Sequence, residues 1–368
     1  MNREFVPLAV LMALFSLVAA RCAAAGAEVV WHEATEFEIE GQGWTDTEAP
    51  YDRLPSHAKG SVPDGVWGLG KHSAGLCVRF RTSARTVSVR WGLTAENLAM
   101  PHMPATGVSG VDLYRRVADG SWQFVQNGRP AAQDGNVMNA DLTGSAKATE
   151  CLVYLPLYNG VKRVEIGVPS DAKLEKAAPR PRAKRRPIVY YGTSIAQGGC
   201  ASRPGNAHVA MLGRMLDRPM INLGFSGSGR MEPAVSQLLS ELDPAVYVID
   251  CLWNIGSIPD AEFASRLTTL VETIRKTRPL TPILFVGQSQ IYPGSVPSHF
   301  ELVQERVIKG LRDTGTPGLS VCPGKILLGT DGDGTVDGVH PNDLGFRRHA
   351  DALAPILANL LRKTASAP

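Results

Sequence analysis

An antiparallel β-sandwich followed by a parallel α/β sheet covered on both faces is the fold class the sequence predicts. Two observations point to it. Up to about residue 168 apolar residues alternate with polar ones, the period of strands with one buried face. After Pro187 short unbroken apolar runs are separated by helix-period segments, the texture of a parallel sheet buried under helices. A length of 368 residues accommodates two domains, and 44% hydrophobic residues against 20% charged ones supply both cores. Global disorder is excluded.

Residues 1–25 stand apart. Arg3 is followed by the apolar stretch Phe5 to Ala20 and by the small residues Ala23, Ala24 and Ala25, which is the plan of a signal peptide. The stretch is marginal for spanning a bilayer and lacks a stop-transfer flank, so an uncleaved anchor is the weaker reading. Arg21 beside Cys22 fits a lipoprotein site badly. The expectation is a secreted or periplasmic protein without stable membrane insertion after cleavage. Five cysteines follow: Cys77, Cys151, Cys200, Cys251 and Cys322. In an oxidising compartment that odd number leaves at least one free or paired between molecules, and no spacing suggests zinc. A formal charge of +3 gives no reason to expect nucleic acid as partner.

The sandwich is assigned to residues 26–170. Val78 and Phe80 alternate with Arg79 and Arg81, and Val87, Val89 and Trp91 with Ser88 and Arg90. Residues 82–86 between them read as a hairpin turn. Val164, Ile166 and Val168 form another such strand, and no helical period is visible in this half. Residues 171–187 hold seven basic residues and three prolines, and read as a solvated linker. A nucleic-acid patch would call for stacking aromatics, which are missing here.

The second domain is assigned to residues 188–368. Its strands are expected at Ile188–Tyr191, Ile221–Leu223, Ala245–Ile249, Ile283–Val286 and Ile326–Leu328. Phe263, Leu267, Leu270 and Ile274 recur at helical spacing, as do Leu353, Ile356, Leu357 and Leu360. Ligands in such sheets bind outside the carboxyl ends of the strands, so the residues just after each run matter most.

After the first run stands Gly192-Thr193-Ser194, ahead of a glycine turn. A nucleophilic hydroxyl needs such a place, exposed and beside backbone N–H groups that can meet an oxyanion. A serine capping the next helix would look the same. Gly224 follows the second run and could present an N–H, or be an ordinary turn glycine. Asn254 follows the third and could offer a side-chain amide, or bond its own backbone. Asp337 and His340 lie three apart before the last helix, where a carboxylate can hold an imidazole in the tautomer that takes a serine proton. The run from Asp331 to Asp337 resembles a calcium loop, but its sixth position is Val336 and its twelfth is Asn342, so calcium is not expected.

Ser, Gly, Asn and Asp-x-x-His, in that order at the strand ends of one sheet, closely resemble the SGNH hydrolases, also called GDSL-type esterases. The segments YGTSIAQGGCASRPG, INLGFSGSGRMEP, DCLWN and DGTVDGVHPNDLGF are similar to one branch of that superfamily. This branch often carries an N-terminal sandwich with a Gly-x-Asp-Leu-Tyr signature, which here is Gly110-Val111-Asp112-Leu113-Tyr114. The resemblance implies a flavodoxin-like three-layer α/β/α domain over about residues 187–363, acyl-ester chemistry, and no metal or cofactor. It makes Ser194 the nucleophile, His340 the general base and Asp337 its orienting carboxylate. Ser194 N–H, Gly224 N–H and the Asn254 side chain would form the oxyanion hole. Two departures stand out: Gly-Thr-Ser replaces the usual Gly-Asp-Ser, and the usual Gly-x-Asn-Asp block is reduced to one asparagine.

The expected function is therefore that of an extracytoplasmic serine esterase acting on acyl, above all acetyl, esters of carbohydrate or polysaccharide. Within the superfamily the alternatives are a lipid or thioester hydrolase and an acyltransferase. Outside enzymes the alternative is a carbohydrate-binding module with an inactive hydrolase domain. The Gly110–Tyr114 signature reads either as internal packing or as part of the substrate cleft.

Overall fold

The structure, a computed structural model, describes residues 28–143, 148–290 and 297–365. The segment read as a signal peptide lies outside the described residues. Among them no helix is long and apolar enough to cross a membrane.

Ten strands build the N-terminal domain: β1 (Val29–Glu33), β2 (Glu38–Glu40), β3 (Cys77–Thr82), β4 (Thr86–Leu93), β5 (Val111–Arg116), β6 (Trp122–Gly128), β7 (Asn136–Asp141), β8 (Thr149–Tyr154), β9 (Val161–Pro169) and β10 (Leu174–Lys176). They form two antiparallel sheets, β1-β9-β4-β7 and β10-β3-β8-β5-β6, with β2 also paired to β3. Val78, Phe80, Leu113 and Val153 of one sheet meet Val87, Val89, Trp91 and Ile166 of the other in a single core. Each such side chain contributes roughly 1.5–3 kcal/mol by leaving water.

Residues 82–86 are not a hairpin. β3 and β4 belong to different sheets, so the chain arches over the sandwich edge. The arch lets the apolar sides of β3 and β4 face each other, whereas a hairpin would have set them side by side on one wall. A helix at Asp64–Gly70 also escaped the pattern, because its three glycines hide any period. Packing of the fully buried Val66 holds it instead of propensity.

The second domain is a five-stranded parallel sheet: β11 (Ile188–Gly192), β12 (Met220–Gly224), β13 (Val246–Asp250), β14 (Ile283–Val286) and β15 (Leu319–Cys322). The order is β12-β11-β13-β14-β15, the flavodoxin-like arrangement. One face packs on helices Pro233–Glu241, Asp260–Thr277 and His299–Asp313, through Tyr191, Leu223, Ile249 and Phe285. The other packs on helices His208–Leu216 and Asp343–Ala365, through Ile188, Tyr190, Val248 and Leu284. The fifth strand is Leu319–Cys322 and not Ile326–Leu328. As an edge strand it keeps two of its four residues half-exposed and so lacks an apolar run, while Ile326 closes a short 3-10 turn.

Residues 171–187 are no solvated linker either. Leu174–Lys176 pairs with β3, and Arg180 is buried between the domains. The Arg180 guanidinium bonds Glu40 at 2.6 and 2.9 Å and Asp217 at 3.0 Å.

The Gly110–Tyr114 signature is a clasp. Asp112 is wholly buried, and its Oδ2 accepts from Gly205 N–H at 2.7 Å and from Arg203 Nη1 at 2.9 Å. Its Oδ1 accepts from Asn127 at 2.8 Å, and Tyr114 Oη accepts from Arg203 Nη1 at 2.7 Å. All five cysteines among the described residues are buried free thiols, and burial pushes the thiol of Cys151 up to about 12.

Two predictions follow from this packing. Asp112→Ala leaves Gly205 N–H without an acceptor and Arg203 with only Tyr114 Oη, and breaking a buried pair typically costs about 3–5 kcal/mol. Thermal or urea unfolding should show a loss of that size, and unchanged unfolding would deny the clasp its role. The second concerns pH. His208 and His349 stack at 4.5 Å, and burial pushes His349 down to about 3 and His208 well below its usual range. Burial, and then the Arg53 charge, push His72 down to about 4. These rings stay neutral in the folded state, while the unfolded chain protonates them below about pH 6.5. Asp250 works the other way, since burial pushes it up to about 7 and the fold retains its proton. Burial also raises Asp112 and Glu301, which act nearer the ordinary carboxyl range. Just below about pH 6.5 three imidazoles face Asp250, so Tm should fall as pH drops from about 6.5 towards about 5.5. A Tm that stays level over that interval would mean these rings gain protons without cost.

Candidate active site

Ser194 follows β11 directly. Thr193 caps the short helix Ser194–Gln197, its Oγ1 accepting from Ile195 N–H at 3.2 Å, and Gly198 ends it in the left-handed region at φ 107°. As the first helical residue Ser194 leaves its own N–H without an intrahelical acceptor. The Asp337–His340 loop comes from the far end of the chain. It is clipped by Val336 N–H on His340 O at 2.9 Å and by Asn342 N–H on Gly334 O at 3.1 Å. Asn342, which broke the calcium pattern, donates to Asp333 O at 2.7 Å and accepts from Gly345 N–H at 3.0 Å, so it fastens the loop to the last helix.

These elements bring three of the expected residues together. Ser194 Oγ lies 2.8 Å from His340 Nε2, and His340 Nδ1 lies 2.7 Å from Asp337 Oδ2. The second Asp337 oxygen accepts from the N–H groups of His340 at 2.8 Å and Val339 at 3.0 Å. Partial burial raises the Asp337 carboxyl, but these N–H donors and the imidazole outweigh it and hold the group at about 2. An ionised Asp337 takes the Nδ1–H and leaves Nε2 as the acceptor facing the serine hydroxyl.

One expected oxyanion donor is not open in the structure. Gly224 N–H is already taken by Asn222 Oδ1 at 2.8 Å. A Cβ on Gly224 would fall 2.1 Å from Gln197 N, so this glycine serves the close packing of β12 on the serine's helix. One residue of the same loop has an open donor and open space instead. Gly227, at φ 68°, has nothing within 4 Å of a Cβ position, and its N–H has no partner among the described residues. The loop's free backbone donor is thus Gly227. Asn254 ends a 3-10 turn after β13. In the amide orientation that satisfies both ends, its oxygen accepts from Ser228 N–H at 3.3 Å and Gly229 N–H at 3.2 Å, so its NH2 faces acceptors.

The N-terminal domain also reaches this site, which no motif revealed. Tyr158 Oη donates to Ser194 O at 3.3 Å, and the His102 ring lies 6.1 Å from that of His340. One buried group of candidate metal ligands exists among the described residues: His208, Asp250 and His349, between the sheet and the last helix. Its ligand atoms lie within 4.8 Å of one another, and its two imidazoles stack with ring centres 4.5 Å apart.

Comparisons with known proteins agree with this architecture. Residues 185–358 match the GDSL-like lipase/acylhydrolase family, and residues 29–174 match the GxDLY domain, the N-terminus of SGNH-hydrolase-type esterases. A crystal structure from Bacteroides ovatus ATCC 8483, described as a GDSL-like lipase, is 32% identical with a TM-score of 0.79, over 91% of this chain and 98% of that one. The salicylyl-acyltransferase SsfX3 from a tetracycline biosynthetic pathway is 19% identical with a TM-score of 0.71, over 92% and 98%. A family two carbohydrate esterase from Clostridium thermocellum, solved with cellohexaose, is 16% identical with a TM-score of 0.51, over 78% and 93%. A search of curated proteins gave no match.

Proposed function

Because the chain belongs to the GDSL-like lipase/acylhydrolase family of SGNH esterases, we propose that it removes short acyl groups, acetyl above all, from carbohydrate esters outside the cytoplasm. The observation that carries the chemistry is the run of contacts from Ser194 through His340 to Asp337, at 2.8 and 2.7 Å. The Ser194 hydroxyl passes its proton to His340 Nε2 as Oγ attacks the ester carbonyl. The carbonyl oxygen becomes an oxyanion, met by Ser194 N–H, Gly227 N–H and the Asn254 NH2. His340 then protonates the departing alcohol, leaving an acyl-enzyme on Ser194. Water gives a proton to the same nitrogen, attacks the acyl carbon, and frees the acid and the serine.

Carbohydrate as the alcohol is supported by analogy and by shape. Family two carbohydrate esterases share the fold. The imidazole and carboxylate are also partly open to solvent, at 23% and 42%, which suits an ester carried on a large molecule. The N-terminal apolar stretch supports export.

Ser194→Ala should abolish hydrolysis of nitrophenyl acetate and acetylated xylan while near-UV circular dichroism stays native; near-wild-type turnover would remove Ser194 from the mechanism. Asn254→Ala should lose about 10² to 10³ in kcat with little change in KM. A raised KM at constant kcat would make Asn254 a ground-state binding residue instead. Product analysis decides the reaction class: free acetate supports hydrolysis, and acyl transfer to an added alcohol with no free acid would make the protein a transferase.

A further inference from the structure

We infer that the N-terminal domain completes the catalytic site through Arg53, a positioning residue that holds the oxyanion loop from behind with a buried positive charge. The inference rests on the reading of Ser194 and the loop of Gly224 to Gly227 given above.

Arg53 lies between β2 and β3 and is 1% exposed. Its guanidinium spends its donors on backbone carbonyls of both domains. Nε donates to His72 O at 2.8 Å and Nη2 to Leu69 O at 2.7 Å, both within the N-terminal domain. Nη1 donates to Asn222 O and Gly224 O, each at 2.9 Å, across the domain boundary. Those two carbonyls close β12 and open the loop that carries Gly227 N–H. The guanidinium also lies 5.0 Å from the Phe225 ring centre, the first residue of that loop.

The other end of the loop is held by the same domain through one intermediary. Ser226 N–H donates to Gln197 Oε1 at 3.0 Å. The Gln197 NH2 in turn lies 3.1 Å from His72 Nδ1 and donates to Leu157 O at 3.0 Å. Burial and the Arg53 charge keep His72 neutral, which leaves its Nδ1 free to accept. Arg53 and His72 thus grip a carbonyl before Gly227 and an N–H just before it.

No carboxylate among the described residues pairs with Arg53, in contrast to Arg180 and Arg203 at the same boundary. An unpaired buried cation is costly, and a purely structural donor to four carbonyls need not be charged. Burial pushes Arg53 down to about 9, so it keeps its charge at neutral pH. A fixed positive charge beneath a loop that must receive an oxyanion acts in the favourable sense, and it needs no reorganisation when the charge develops.

The test uses full-length Arg53→Met and Arg53→Lys, with kcat and KM on nitrophenyl acetate and Tm measured for each. A folded Arg53→Met should lose about 10²-fold in kcat, as when one oxyanion donor is removed, with KM within about 3-fold of wild type. Arg53→Lys restores the charge and should recover part of that loss. A folded Arg53→Met with wild-type kcat overturns the inference, as does a kcat loss no larger than its loss of folded protein. If Arg53→Met does not fold, Arg53→Lys decides alone: it cannot span all four carbonyls, so a kcat reduced at least about 10-fold at unchanged KM supports the inference and wild-type kcat overturns it. Ser194→Ala separates the two readings. If that variant stays active the underlying assignment has failed, and if it is inactive while Arg53→Met is fully active only the Arg53 inference has.

Discussion

One carboxylate without access to water sets the relation of everything else. Asp112 can remain buried only if its oxygens are satisfied, and two of the donors that satisfy it, Arg203 and Gly205 N–H, come from the other domain. The loop it grips lies between Ser194 and His340 in sequence. Ser202 N–H and the Asn206 side chain, on that same loop, bond Asp343 at 2.9 and 2.8 Å. Asp343 opens the last helix three residues after His340. The buried Asp112 of the sandwich is thus tied, through one loop of the hydrolase domain, to the helix that follows His340.

Apolar packing makes the boundary rigid where the polar contacts make it specific. Met103, Val108 and Leu157 of the sandwich join Ile195, Ala201, Ala207 and Phe346 of the hydrolase domain in one buried cluster. Ile195 follows Ser194, so part of the support beneath Ser194 is sandwich side chain. Independent domain motion is the usual expectation for a small polar interface. Here the cluster includes Ile195, next to Ser194, and motion across it would part Tyr158 Oη from Ser194 O. The N-terminal domain is consequently better regarded as one wall of the site than as an attachment to it.

How legible each part was depends on the range of the contacts that create it. β11, β13 and β14 are buried on both faces and appear as apolar runs whatever surrounds them, and β12 does so but for Asn222. Phe263, Leu267, Leu270 and Ile274 read as a helix because a helix face repeats within a few residues. Asp337 and His340 meet inside one tight loop, and local spacing suffices to pair them. Long-range choices left no such mark. Whether β3 and β4 pair or face each other depends on the whole sandwich. Arg180 looks like one more charge in a basic run until Glu40, distant in sequence, neutralises it. Gly224 stands out in sequence as the glycine after the apolar run, and only the Asn222 side chain, turned back onto its N–H, leaves Gly227 as the open donor. Arg53 belongs to no motif of the site at all.

The two departures from the usual superfamily pattern have local physical answers. Where the pattern has an aspartate before the serine, Thr193 is fully buried and its hydroxyl performs the capping bond to Ile195 N–H. A carboxylate at that buried position would cost more to take out of water than a neutral hydroxyl, which keeps the cap. The shortened asparagine block is supported differently. A 3-10 turn from Leu252 to Asn254 aims the amide, the Asn254 N–H is held on Cys251 O at 3.0 Å, and Trp253 Nε1 is anchored on Ser289 Oγ at 2.9 Å. The indole anchor and the turn fix the Asn254 backbone, and the N–H groups of Ser228 and Gly229 fix its side chain. An orientation that a longer motif could enforce through its own residues is enforced here by the neighbouring loops.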